Sequence, residues 1–121
     1  MRILLFTIAL MISNIGLADE KENVALEYFK FIFYEDQVRE QKNDELISKP
    51  LVSSFYSKQG HRMIIVSASI SSGKSYFALM SVNELNMSLL KWKQRGYGSE
   101  PEKDVAMFME NNGEDFNFDG W

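Results

Sequence analysis

Cysteine is absent from the 121-residue chain. That absence excludes a disulfide scaffold, a thiolate metal or iron–sulfur centre, a thiol nucleophile and a lipid-modified cysteine. Histidine occurs once, so any metal site would have to be built mainly from carboxylates. Positive charge is the scarcer sign. Thirteen Lys and Arg against 17 Asp and Glu leave a formal charge of −4. That balance argues against a general nucleic-acid binder, whose affinity comes from neutralising phosphates. Long apolar runs are also missing. The longest, residues 3–12, is about half of the roughly 20 residues a spanning helix needs, and Ser13 and Asn14 interrupt its continuation. Apolar side chains nevertheless make up 45% of the chain and aromatic ones 13%, too many for disorder. The length allows one small domain.

The first 18 residues read as a secretory signal peptide. Arg2 supplies a positive start, residues 3–12 a short apolar segment, and Gly16-Leu17-Ala18 a small-x-small cleavage site before Asp19. The expected organisation is therefore a leader over 1–18 and a single α+β domain over 19–121, exported to the periplasm or the extracellular space. After cleavage no segment remains to hold the chain in a membrane. Exported domains of this size often rely on disulfides. Without them, aromatic side chains, each burying a large area, must supply the core.

Val24, Ala25, Tyr28, Phe29, Ile32 and Phe33 recur at helical spacing and predict a helix over about residues 20–40. Ile47, Leu51, Val52, Phe55 and Tyr56 share a helical face as well. With Ser48 as N-cap and Gly60 as C-cap they predict a second helix. The period then changes to two. Met63-Ile-Ile-Val-Ser-Ala-Ser-Ile70 and Ser75-Tyr-Phe-Ala-Leu-Met-Ser-Val82 flank Ser72-Gly73 as a β-hairpin. A two-residue turn there sets Ala68 opposite Phe77, Val66 opposite Leu79 and Ile65 opposite Met80. Residues 105–121 read as a second hairpin about Asn112-Gly113, pairing Met109 with Phe116 and Met107 with Phe118. Residues 82–96 fit either a helix, from the Ser81-x-x-Glu84 capping box, or a strand, from Leu90 and Trp92 alternating with Lys91 and Lys93. An antiparallel sheet between the two hairpins needs a partner, which favours the strand. The sum is two N-terminal helices on a curved antiparallel sheet of four to five strands.

This order, carried by Ala25-Leu-Glu-Tyr-Phe-Lys-Phe-Ile and Val105-Ala-Met-Phe-Met-Glu-Asn-Asn-Gly-Glu, resembles the NTF2-like (cystatin-like) superfamily. In that family N-terminal helices lie in the concavity of a curved sheet, and the domain often finishes with a strand–turn–strand and a late tryptophan. The resemblance implies a pocket-forming fold shared by enzymes, binders and immunity proteins, so it does not assign a function.

Three motifs invite chemistry. Ala68-Ser-Ile-Ser-Ser-Gly73-Lys74-Ser75 matches a relaxed phosphate loop. Such a loop needs a helix to follow it, whereas Tyr76 opens a strand pattern, so an exposed hairpin turn is expected. Asp115, Asn117 and Asp119 match the opening of a calcium loop, but the bidentate Glu at its twelfth position is missing. His61 lies at a junction between elements, where a surface histidine is the plainer reading. Neither a catalytic residue, a metal ligand nor a cofactor is assigned.

Charge is segregated. Residues 58–95 carry Lys58, Arg62, Lys74, Lys91, Lys93 and Arg95 against Glu84, while residues 100–121 are strongly acidic. Lys91, Trp92, Lys93, Arg95 and Tyr97 combine cations with aromatic anchors, a composition enriched at interaction hot spots. They are the candidate partner-binding residues. The resulting expectation is a soluble, exported, non-enzymatic binding protein with a protein partner and no nucleic acid, for example an inhibitor or immunity protein. The alternative is a small-molecule binder or enzyme using an NTF2-like pocket, with His61 or an acid as base.

Overall fold

A computed structural model describes residues 19–82 and 90–111, with the backbone alone at 90–93 and 111. Helix α1 (Glu20–Arg39) is followed by strands β1 (Leu51–Tyr56), β2 (Arg62–Ser69), β3 (Ser75–Val82) and β4 (Leu90–Gly98), then helix α2 (Pro101–Asn111). The four strands form one antiparallel sheet in the order β1-β2-β3-β4.

The fold is α+β, as the composition and patterning predict, but its helices are not both N-terminal. One lies at each end of the described chain, and they cover opposite faces of the sheet. Ala25, Phe29, Ile32 and Phe33 of α1 pack on Ile64, Val66, Ala68, Tyr76, Ala78, Met80 and Val82. Phe108 of α2, with Val105 beside it, packs on Phe55, Met63, Ile65, Phe77 and Leu79. Side chains alternate faces along a strand, so these two lists are the two sides of β2 and β3. Sandwiching explains why Met63 to Ala68 and Ser75 to Met80 are buried without a break.

Three local expectations are corrected. Residues 51–56 form β1, not a second helix. Leu51, Val52, Phe55 and Tyr56 do share a helical face, but Pro50 is hostile to helix interiors, and pairing with β2 satisfies the backbone that a helix would have. Gly60 does adopt positive φ, at 85°, but in the β1–β2 turn rather than at a helix end. Residues 101–111 form α2, so Val105 to Glu110 are not a strand; the remainder of that expected hairpin lies outside the described residues, as does the calcium-like motif. Pro101 at the first helical position and the acidic Glu102 and Asp104 in the first turn favour the helix start.

The third correction is one of register. The β2–β3 connection closes with Ile70 N–H donating to the Lys74 carbonyl and Gly73 N–H to the Ile70 carbonyl, with Gly73 at φ 92°. This is a three-residue loop ending in a left-handed glycine, not a two-residue turn. Pairing slips by one residue, giving Ser67↔Phe77, Ala68↔Tyr76 and Ile64↔Met80. A slip of one sends Tyr76 and Phe77 to opposite faces from those expected: Tyr76 to α1 and Phe77 to α2.

Of the 82–96 segment that fits either helix or strand, residues 90–96 are strand, the favoured reading, and the strand runs on to Gly98; residues 83–89 lie outside the described residues. A bulge between Leu79 and Met80 leaves Lys93 as the extra residue of β4, with Gln94 opposite Leu79 and Trp92 opposite Met80.

Beneath α2, Asp104 is almost fully buried and accepts hydrogen bonds from Ser67 Oγ at 2.8 Å and from Ser75 Oγ. Gly98 makes room for it: a Cβ there would stand 2.1 Å from Asp104 Oδ1. Gly98→Ala is therefore expected to displace the carboxylate and orphan two buried hydroxyls, costing about 2 kcal/mol or more. Gly96→Ala, whose Cβ would meet the Phe77 ring at an ordinary 3.5 Å, is the control and should cost far less. Urea denaturation of the two variants measures the difference; equal losses would contradict this packing.

Candidate functional site

Helix α1 is fastened to the sheet by a polar clamp at each end. At its start Asp19 caps the helix, accepting from Glu22 N–H at 2.8 Å, while the Glu22 carboxylate accepts from Asp19 N–H. Arg62 of β2 pairs with Asp19, and Ser54 of β1 donates to Glu22 at 2.6 Å. Burial works to raise the Asp19 carboxyl. The Glu22 N–H and the Arg62 guanidinium outweigh it and hold the group below its usual value.

The second clamp lies at the end of α1, over β3 and β4. Tyr76 donates to Asp36 Oδ2 at 2.5 Å. Asp36 Oδ1 stands 2.7 Å from Arg39 and 3.2 Å from Arg95, as ion contacts rather than aligned hydrogen bonds. Gln37 donates to the Tyr97 hydroxyl at 3.2 Å and accepts from Asp44 N–H at 2.9 Å. Tyr97 in turn donates to Glu40 at 2.7 Å, and Lys42 stands 4.1 Å over its ring. The helix then ends with Lys42 N–H reaching the Gln37 carbonyl and Gln41 at φ 56°, a left-handed cap usually given to glycine.

Of the five candidate partner-binding residues, the structure describes the side chains of two, Arg95 and Tyr97. Arg95 is turned onto Glu35 and Asp36 with its side chain 12% exposed, and Tyr97 is spent on Gln37, Glu40 and the Tyr76 ring. Lys91, Trp92 and Lys93 lie on β4, at the sheet edge, where the backbone alone is described. The basic segment and the acidic C-terminal half of α1 therefore pair in part with each other.

Burial, and then the hydrogen bond to Asp36, pushes the Tyr76 phenol well above its ordinary value. Burial, and then the bond to Glu40, pushes Tyr97 up to about 12. Neither is a base or nucleophile at neutral pH. A phenol raised on folding stabilises the fold fully below about pH 10 and loses that contribution as pH rises through its folded value. Stability should therefore decline between about pH 10 and 12. Phenolate absorbance should show two of the five tyrosines ionising later in the native chain than in urea. Simultaneous ionisation in both conditions would contradict the clamp.

Beside this clamp an open cleft of about 350 Å³ is lined by Lys42, Asn43, Asp44, Ser72, Lys74 and Tyr97. The Ser72-Gly73-Lys74 turn of the phosphate-loop-like motif reaches it, but Ser75 is buried on Asp104 and continues into β3. That hydroxyl is turned away from any phosphate. His61 is exposed in the β1–β2 turn, its backbone bonded to Ser57. Among the described residues no group of three or more His, Asp and Glu is placed to hold a metal ion, and no helix is long and apolar enough to cross a membrane.

The feature that the sequence reading missed is the outer face of α1. Val24, Phe31, Tyr34 and Val38 are 42, 63, 60 and 79% exposed. They form a second apolar row, opposite the Ala25, Phe29, Ile32 and Phe33 row that packs on the sheet. In the sequence, Phe31 and Tyr34 widen the helix's apolar face beyond one stripe, which predicts that much of its circumference is covered; the structure corrects this, leaving both exposed. Comparison with protein families, curated proteins and solved structures finds no match.

Proposed function

We propose that this chain is an exported, non-enzymatic binding protein, in the manner of an inhibitor or immunity protein, and that it engages a macromolecular partner through the outer face of α1. The observation that carries the reading is the row Val24, Phe31, Tyr34 and Val38, apolar and exposed on a helix whose other side is already buried. Solvated helix faces are normally polar, so four large apolar side chains exposed on one face, with Glu27 among them, support an interaction surface. The two polar clamps hold this helix rigidly, so the row is presented in a fixed geometry and little order is lost on binding. Cleavage after Ala18 fits the same reading, because it retains Asp19 and with it the helix cap and the Arg62 pair.

The test is site-specific photo-crosslinking in the producing cell. Benzoylphenylalanine in place of Phe31 or Tyr34 should trap one discrete partner, and the same group at exposed Glu102 on α2 should not. Equal crosslinking from all three positions would refute the surface. Intact mass of the exported chain should begin at Asp19; a retained leader, or a cut inside α1, would refute the export reading.

A further inference from the structure

Helix α2 carries its two methionines away from the core that it covers. Phe108 is fully buried on Phe55, Met63, Ile65, Phe77 and Leu79. Met107 and Met109 stand about 100° to either side of it around the helix, and they are 44 and 38% exposed. The methionines of the sheet are enclosed instead. Met63 lies in the layer beneath α2, and Met80 in the layer beneath α1. The helix that seals one thioether from solvent therefore presents two others to it.

That division decides which sulfur an oxidant meets first. A thioether attacks the terminal oxygen of a hydroperoxide with its lone pair. A sulfur–oxygen bond forms and the O–O bond breaks. The proton of the transferred hydroxyl passes to the departing oxygen, which leaves as water or an alcohol. Sulfur gives up two electrons, the peroxide takes them, and the product is methionine sulfoxide. No thiol competes, because the chain has no cysteine. At 107 or 109 the new S=O group stands in water, where its polarity is satisfied. At Met63 or Met80 it would stand among apolar side chains, where an unpaired polar group is costly. We propose that Met107 and Met109 are an oxidation site, at which hydroperoxides are consumed on the surface of α2 before they reach the core thioethers. This goes beyond the docking of α1 and does not rest on it.

The test treats the folded, purified chain with hydrogen peroxide and follows each methionine by peptide mass spectrometry. Met107 and Met109 should gain oxygen at least about tenfold faster than Met63 and Met80, which are reached only when the fold opens. In urea the four rates should converge. Chain oxidised at Met107 and Met109 alone should keep its near-ultraviolet circular dichroism. Met107→Leu with Met109→Leu, which keeps the fold, should raise the sulfoxide found at Met63 and Met80 under limiting peroxide. Native rates at Met63 or Met80 equal to those on α2 would overturn the inference. So would loss of the near-ultraviolet signal on oxidation of α2 alone, or a leucine variant whose core methionines gain no additional oxygen.

Discussion

Phe108→Ala is expected to destabilise the protein by about 3–5 kcal/mol, while Met107→Ala and Met109→Ala each cost under about 1 kcal/mol. Phe108 is fully buried, its ring 5.2 Å from that of Phe77, whereas Met107 and Met109 are 44 and 38% exposed. Truncating Phe108 opens a cavity against Phe55, Met63, Ile65 and Leu79, which strands of a hydrogen-bonded sheet cannot readily collapse to fill. The comparison also separates two architectures. In a terminal hairpin Met107 and Met109 would point inward and Phe108 out, and the order of effects would invert. In α2 the inward positions are Pro101, Asp104, Val105 and Phe108, at helical spacing. Chemical denaturation of the three variants decides between them. Domains of this size have about 5–15 kcal/mol in all, so the Phe108 variant should be visibly close to unfolding.

Asp36→Ala should cost a similar amount, about 3–5 kcal/mol, although it removes polar contacts rather than apolar packing. Its carboxylate is 3% exposed and answers three groups: the Tyr76 hydroxyl, Arg39 and Arg95. Arg95, itself mostly covered, would lose its contact with Asp36, and the Tyr76 hydroxyl would be buried without this acceptor. Leaving a buried charge without its partner costs far more than the pair contributes. Tyr76→Phe in the Asp36→Ala background should then be nearly neutral, since it removes the orphaned hydroxyl, whereas Tyr76→Phe alone should cost about 1–2 kcal/mol. The resulting double-mutant cycle measures the coupling. An Asp36→Ala protein as stable as the parent would contradict the clamp.

These two experiments bear on separate layers of the molecule, and the layers differ in how much of them could be read beforehand. Helix α1 was legible to within a residue at each end, because Ala25, Phe29, Ile32 and Phe33 repeat at its period, while the Asp19–Glu22 capping box that starts it emerged only from the structure. Strands β2 and β3 were legible from their period and the turn between them, whereas β4 stood between helix and strand. The unbroken apolar run over Met63 to Val66, with Phe77 to Met80, even carried the sign of a sheet covered on both sides, though it was read as alternation.

Local pattern could not separate β1 from a helix. Ile47, Leu51, Val52, Phe55 and Tyr56 satisfy either geometry, and the choice was made by the backbone of β2, which needed a neighbour. Nor could it place Val105 to Glu110, whose short apolar stretch reads as strand until Phe77 and Leu79 require a cover from the far side. The candidate partner-binding residues show the same division. Lys91 to Tyr97 stood out as basic and aromatic, but sequence distance concealed that Glu35, Asp36, Gln37 and Glu40, some sixty residues earlier, would claim Arg95 and Tyr97. Composition and the period of each strong element are properties of neighbouring residues, so the chain alone determined them. Which face of an element is buried, and which cation is already paired, depends on groups distant along the chain meeting in space. Those were decided by the tertiary structure, because burial and ion pairing are energies of contact.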